Sequence, residues 1–165
     1  MSTRNYWIGV ISKADAHAAV AGSFVELNHG KAGPLERMRE GDGLAVYSPR
    51  TEDPDGARVQ AFTAIGRVAS GPIVQAQASD GSAPFRRTVH YWRLANEAPI
   101  KPLIEPLSFI RSKLHWGAPF RFGFVRIPET DFAQIAAAMG RDFERDFPRG
   151  DIGSSRPIEP RAVPA

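Results

Sequence analysis

Residues 27–35 read Leu27-Asn28-His29-Gly30-Lys31-Ala32-Gly33-Pro34-Leu35, and this stretch separates two runs that have the composition of β-strands. Glycine permits backbone angles that other residues avoid, whereas proline fixes one of them. A loop of this composition holds a defined shape and presents its polar side chains. Composition alone is also compatible with an ordinary connection, so the rest of the chain must distinguish a functional loop from a plain one.

Length and composition set the first limits. The chain has 165 residues, of which 42% are hydrophobic, and this favours one domain with a core of its own. No run approaches the roughly 18 apolar residues of a membrane span, and the polar start Met1–Asn5 does not resemble a signal peptide. The absence of cysteine excludes disulfides, thiolate metal sites and a cysteine nucleophile. We therefore expect a cytoplasmic protein with no membrane partner.

The basic residues are unevenly placed. The net charge is only +3, but the positive excess lies before residue 128, and residues 129–147 are acidic. Most of the basic residues are arginine, which binds phosphates and base edges through two parallel hydrogen bonds. A GC-rich genome explains the arginine content equally well, so charge alone does not identify a partner.

Hydrophobic periodicity predicts an α+β fold, with six or seven strands and two clear helices. We expect a small mixed β-barrel with the helices packed outside it. Helical turns are predicted at 34–38 and 105–110. The strands are expected at 5–12, 23–27, 44–48, 58–68, 85–96 and 120–127, and the helices at 13–21 and 129–139.

The strand expected at 120–127 would carry an aromatic face, because Phe120, Phe122 and Phe124 are spaced two residues apart. Residues 141–147 would extend the preceding helix. Residues 148–165 are rich in proline and glycine, which indicates a disordered tail after a domain that covers residues 1–147.

Signatures of catalysis are weak. The four histidines do not have metal-ligand spacing, and the chain has no phosphate-binding glycine-rich loop, dinucleotide fingerprint or nucleophile elbow. We therefore predict no catalytic residue, no metal and no cofactor. An enzyme that acts on a nucleobase or an acyl group, with His29 or His115 as its base, stays open as an alternative.

Aromatic residues flanked by arginine and lysine point to binding. Such residues form stacking platforms for bases inside basic grooves, although most aromatic residues on strands are core residues. Trp116 and Tyr47 are the least core-like, because Trp116 lies in a polar basic loop and Tyr47 ends a strand beside Ser48 and Pro49.

A set of motifs, spread over residues 5–140, resembles the EVE-domain family in its stand-alone bacterial form. This family belongs to the PUA-like superfamily, with the YTH and ASCH domains as relatives. The motifs are, in chain order, Tyr6-Trp7-Ile8-Gly9-Val10, His29-Gly30-Lys31 with Pro34-Leu35, Met38-x-x-Gly41-Asp42, Tyr47-Ser48-Pro49, Leu107-Ser108-Phe109-Ile110-x-x-Lys113-x-x-Trp116-Gly117 and Phe120-Arg121-Phe122-Gly123.

The resemblance implies a small PUA-like β-barrel with flanking helices, and a function in recognising modified nucleobases without catalysis. YTH relatives hold N6-methyladenine in an aromatic cage, and some EVE domains are thought to read modified cytosine in DNA. A base that leaves its stack needs an aromatic wall and a few polar groups that read its edge. The expected partner is therefore a modified base in DNA or RNA, or a nucleotide.

The matching positions supply ten candidate site residues. We expect aromatic walls from Trp7, Tyr47, Phe109 and Trp116, edge contacts from Asn28, His29 and Ser48, and phosphate contacts from Lys31, Lys113 and Arg121. Five of them, His29, Lys31, Tyr47, Ser48 and Trp116, are expected to converge on one concave site, because each lies in a loop or at a strand end.

The loop after Pro49 departs from the family pattern, because it is long and carries Glu52, Asp53 and Asp55. An acidic loop near the site would repel a long duplex, and it favours a nucleotide, a short strand or a ligand that is not a nucleic acid. A binder of nucleotides or other small molecules with the same pocket is therefore the main alternative. Salt dependence separates the two, since only a polymer releases many counterions on binding.

Overall fold

Strand β1 (Tyr6–Val10) lies inside the sheet, parallel to β3 (Gly43–Arg50) and antiparallel to β8 (Phe124–Ile127). The structure is a computed structural model that describes residues 3–148. The remaining strands are β2 (Phe24–Val25), β4 (Arg58–Val68), β5 (Val74–Gln75), β6 (Phe85–Tyr91) and β7 (Ala98–Pro99). The sheet has the strand order β2-β6-β4-β3-β1-β8 and is curled into a half-barrel.

Four α-helices flank the sheet. They are α1 (Lys13–Gly22), α2 (Gly33–Arg37), α3 (Glu129–Ala138) and α4 (Phe143–Asp146), and 3-10 helices occur at Lys101–Leu103 and Ala118–Phe122. Helix α1 begins at the cap Ser12, whose hydroxyl accepts from the Asp15 amide at 3.1 Å. The predicted α+β class, a curved sheet with helices at 13–21 and 129–139, is confirmed.

The sheet separates two hydrophobic clusters, as the two-residue repeat of a strand requires. From β1, Tyr6 and Ile8 enter the cluster that contains Phe132 of α3, whereas Trp7 enters the other cluster with Leu27 and Leu44. Within residues 3–148, none of the helices has the length and apolar character needed to cross a lipid bilayer.

The predicted strand at 120–127 is wrong in its first half. Residues Ala118–Phe122 form a 3-10 helix, and only Phe124–Ile127 form a strand. Proline lies in the first turn of this helix, and Gly123 ends it with a left-handed φ of 78°. As a result, Phe120 is buried and Phe122 is 76% exposed, although the sequence pattern places them on one face.

Several other element boundaries also differ from the prediction. The strand predicted at 85–96 ends at Tyr91, a short strand that was not predicted, β5, lies between β4 and β6, and residues 143–146 form a separate helix after Gly140. The predicted helical turn at 34–38 corresponds to α2. The predicted disordered tail lies outside the described residues, apart from Pro148.

Candidate functional site

The loop that follows β2 has an unusual backbone. Asn28, His29 and Gly30 are consecutive and all left-handed, with φ values of 49°, 59° and 82°. The amides of Gly30 and Lys31 both donate to the Leu27 carbonyl, at 3.0 and 3.2 Å, and so close one left-handed turn. This conformation costs roughly 1–2 kcal/mol for each residue other than glycine. Strain of this kind is often found at functional sites.

Neighbouring elements hold this turn in place. The Gly30 carbonyl accepts from the Phe85 amide at 2.9 Å, and a Cβ on Gly30 would lie 2.6 Å from the Cβ of Pro84. On the other side, the Asn28 carboxamide oxygen lies so close to Gly123 that a Cβ there would be 2.2 Å from it. Both glycines also have left-handed φ values, of 82° and 78°, which favour glycine, and the turn is therefore held between β6 and the 3-10 helix Ala118–Phe122.

A cleft of about 900 Å³ opens beside this turn. Its walls come from α1, β2, the 28–31 turn, the loops around Asp53 and Asp80, and the end of the 3-10 helix. Four predicted site residues line it, namely Asn28, His29, Lys31 and Arg121. The structure thus brings together residues that are separated by about ninety positions in the chain.

The cleft carries charges of both signs. The side chains of His29, Lys31 and Arg121 are exposed, and no hydrogen bond or ion pair links them to other residues of the range 3–148. The acidic lining consists of Asp15, Glu26, Asp53 and Asp80, so the acidic loop singled out in the sequence does reach the cleft. The hydroxyl and amide of Ser82 donate to Asp80 and lower the pKa of its carboxyl.

Phe24, Glu26 and Arg86 are among the lining residues that the sequence prediction missed. The guanidinium carbon of Arg86 lies 4.0 Å from the centre of the Phe24 ring, and its Nε donates to the Glu26 carboxylate. Val25 and Leu27 are fully buried, so Phe24 and Glu26 face the opposite way. This alternation just before the glycine-containing turn is the signal that could have revealed them.

Trp7 and Ser48 are buried in the core and do not line the cleft. The Trp7 ring is 3% exposed and stacks on Phe124 at a centroid distance of 4.7 Å. Ser48 is fully buried, and its hydroxyl is hydrogen-bonded to that of Thr63 at 2.7 Å. Both strands are covered on the faces where these side chains lie, so neither side chain forms a wall or edge of the cleft.

The remaining aromatic candidates gather around Phe120. Tyr47 stacks on the Phe120 ring at 4.1 Å, and the rings of Phe109 and Trp116 meet it edge-on at 5.8 and 6.5 Å. Tyr47 is 2% exposed, whereas Phe109 and Trp116 are half-buried. Tyr47 and Trp116 thus contact the same Phe120 ring, and Trp116 packs against the core.

The five residues expected to converge do not share one concave site. His29 and Lys31 line the cleft, whereas Tyr47, Ser48 and Trp116 belong to the core or pack on it. The 3-10 helix Ala118–Phe122 separates the cleft residues from the core residues, because Phe120 is buried in the core while Arg121 and Phe122 are exposed and line the cleft. The aromatic group and the cleft are thus neighbours that share one short helix.

Lys113 has a structural position that does not suit the predicted phosphate contact. Its ammonium donates to four main-chain carbonyls, those of Ile104, Glu105, Leu107 and Ile110, at 2.8 to 3.3 Å. Three protons are shared among four acceptors, so no donor is left for a phosphate. Lys113 therefore holds the 104–113 loop together.

We expect Tyr47 to make the fold sensitive to alkali. Burial raises the pKa of Tyr47 from 10.0 to about 12, and it also raises the pKa of Tyr91. Because the pKa is higher in the folded state than in the unfolded state, the free energy of unfolding keeps its full value below pH 10 and falls as the pH rises towards 12. Urea unfolding at pH 8 to 11.5 should show this decline, and Tyr47→Phe should reduce it while changing the stability at pH 8 by less than about 1 kcal/mol. A decline that is identical in Tyr47→Phe would contradict this prediction.

Comparison with known proteins identifies relatives of the chain. A family model described as the EVE domain matches residues 5–138. A UPF0310 protein of Mycolicibacterium gilvum is 43% identical over 82% of this chain and 96% of its own. The UPF0310 protein YdcG of Bacillus subtilis is 41% identical over 82% of this chain and 92% of its own. The solved structure of protein Atu2648 from Agrobacterium tumefaciens is 14% identical, covers 83% of this chain and 94% of that one, and has a TM-score of 0.48.

Proposed function

Because the chain belongs to the EVE-domain family, we propose that it recognises a modified nucleobase of DNA or RNA without catalysing a reaction. The base would enter the cleft beside the 28–31 turn. One observation carries the proposal: the cleft combines the aromatic ring of Phe24 with polar and cationic side chains that have no partner among residues 3–148.

The chemistry of the lining suits a base that has left its stack. An aromatic ring replaces the lost stacking at about 1–3 kcal/mol per base. In our proposal Phe24 supplies that ring, and the base takes the place of the planar Arg86 guanidinium that now lies over it. Asn28, His29 and Glu26 would read the edge of the base, since together they offer both donors and acceptors. Lys31 and Arg121 would meet the phosphate.

Tyr47, Phe109 and Trp116 then have a supporting role in the proposal. They pack around Phe120, whose helix also carries Arg121 and Phe122. Their rings would fix the position of this rim relative to the sheet. The wall of the proposed pocket is therefore Phe24, and it replaces the four aromatic residues expected from the sequence.

A binder of free nucleotides or other small molecules is the second candidate, and a specific observation favours it. Asp15, Asp53 and Asp80 line the same cleft and repel a polyanion. The two functions differ in salt dependence. The affinity for a polymer falls steeply with salt because counterions are released, while the affinity for a small ligand changes little.

We expect Phe24→Ala to weaken binding of the preferred ligand by about 1–3 kcal/mol. The purified protein would be titrated by calorimetry with modified and unmodified nucleosides and short oligonucleotides. Phe143→Ala is the matched control, since Phe143 is also half-buried but packs against the cluster that contains Phe132 and does not line the cleft. Wild-type protein that binds modified and unmodified bases equally, or a Phe24→Ala variant that binds as tightly as the control, would contradict the proposal.

A further inference from the structure

Phe122 is a large aromatic side chain that the fold leaves exposed. It is 76% exposed and yet forms part of the cleft lining. The other large apolar residues that are exposed within residues 3–148 are Val74, Leu94 and Leu114, which are aliphatic and do not line this cleft. An exposed ring at the rim of a polar cleft suggests a stacking surface for a ligand.

The backbone around Phe122 is anchored on both sides. Gly123 ends the 3-10 helix, its carbonyl accepts from the Val10 amide at 3.0 Å, and its Cα faces the Asn28 carboxamide. The inward neighbour Phe120 is buried among aromatic rings. The Phe122 ring is therefore presented from a fixed backbone, and its position relative to the 28–31 turn is set by direct contact.

Charge next to the ring indicates the kind of ligand. Arg121 precedes Phe122 and lines the same cleft, and its guanidinium makes no hydrogen bond or ion pair within the range 3–148. An aromatic ring beside a free cation is the combination that binds single-stranded nucleic acid, where bases stack and the backbone lies in a basic groove. The aspartates of the same lining, Asp15, Asp53 and Asp80, make a paired duplex a poorer fit.

We propose that the cleft binds a single-stranded segment of at least two nucleotides, in which Phe122 stacks on the base next to the recognised one and Arg121 contacts the phosphate between them. This inference rests on the proposed function and adds the class of ligand to it. A free nucleoside or mononucleotide would fill the Phe24 side of the cleft and leave the Phe122 side unused.

The test compares ligands of different length. The probes are 5-methyl-dCMP, N6-methyl-dAMP, single-stranded trinucleotides with the same bases in the middle flanked by thymidines, and duplexes of ten base pairs that contain them. The variants are Phe122→Ala, Phe122→Trp and, as the control, Leu114→Ala, which removes an exposed apolar side chain that does not line the cleft. Thermal melting checks that each variant is folded.

We expect wild-type protein to bind a trinucleotide more tightly than the mononucleotide and the duplex. Phe122→Ala should weaken trinucleotide binding about tenfold and leave mononucleotide binding unchanged, while Phe122→Trp and Leu114→Ala retain the wild-type affinity. Equal effects of Phe122→Ala on both ligand lengths, or no effect on either, would overturn the inference and leave the proposed function standing. Failure of wild-type protein to bind any of these probes would overturn both.

Discussion

Replacing Asp42 with alanine is expected to lower the free energy of unfolding by about 4 kcal/mol. The Asp42 carboxylate is 1% exposed and accepts three N–H groups. Oδ1 accepts from the Asn5 amide at 3.0 Å, and Oδ2 accepts from the Trp7 indole and the Arg39 amide, each at 2.9 Å. Alanine would leave these donors without an acceptor in a place that water reaches poorly.

The expected loss of stability is the sum of the costs of the hydrogen-bond donors that lose their acceptor. Each donor that loses its acceptor costs roughly 1–3 kcal/mol, and the two main-chain amides are only partly buried and so regain some hydration. Asp42 also stabilises the charged form of Arg87. Burial lowers the pKa of Arg87, and the negative charge of Asp42 raises it and so opposes part of that shift. The variant would lose this attraction as well.

Urea denaturation followed by tryptophan fluorescence would measure the loss. Asp55→Ala is the matched control, because Asp55 lies in an exposed loop and its removal should change stability by less than about 0.5 kcal/mol. Asp42→Asn should fall between the two, since the amide keeps one oxygen acceptor but turns an NH₂ group towards an N–H donor. Stability of Asp42→Ala within 1 kcal/mol of the control would show that the carboxylate does not organise this corner of the fold.

The predictable parts of the fold are those that depend on local pattern. Helix α1 begins at the predicted residue Lys13, and β4 covers the predicted range Arg58–Val68. The pattern failed at Phe120–Phe122, because alternation there competed with Pro119 and Gly123, which favour a tight helical turn. Glycine and proline decided the outcome, and the strand therefore begins only at Phe124.

The candidate site was predictable only in part, for a different physical reason. The composition of residues 27–35 indicated a shaped loop, and the structure has three left-handed residues there. Sequence does not show which face of a strand is covered by the rest of the chain. Trp7 and Tyr47 therefore had the right residue type for a pocket but are buried, while Phe24 faces the cleft.

The sequence also did not reveal which polar residues stabilise the core through long-range hydrogen bonds. Asp131 lies in the first turn of α3, where an acid is explained by the helix dipole alone. In the structure its carboxylate is 1% exposed and accepts from the amides of Ser108 and Phe109, at 3.0 and 2.9 Å, and from the Ser108 hydroxyl. It thus joins the helix to the loop that carries Phe109, a contact between residues more than twenty positions apart.

We expect Asp131→Ala to lower the free energy of unfolding by about 3 kcal/mol, because two main-chain amides and a hydroxyl lose their common acceptor. Ser108→Ala should cost only about 1 kcal/mol, since both amides keep their bonds to the carboxylate. Glu144→Ala is the control, because Glu144 is an exposed acid in the first turn of α4. All three variants would be measured by urea denaturation.

A second measurement separates loss of this contact from general destabilisation. The 104–113 loop contains Arg111 and Lys113, which are sites for trypsin, and it is tied to α3 through Asp131 and to itself through the Lys113 ammonium. Release of the Phe109 amide should open this loop locally. Trypsin should therefore cut Asp131→Ala after Arg111 faster than it cuts a core variant such as Ile8→Ala, with the temperature of each digestion chosen so that both variants have the same free energy of unfolding. Cleavage at the same rate in both would mean that Asp131 stabilises the helix and not the loop, and Phe109 and Trp116 would then be held around Phe120 by packing alone.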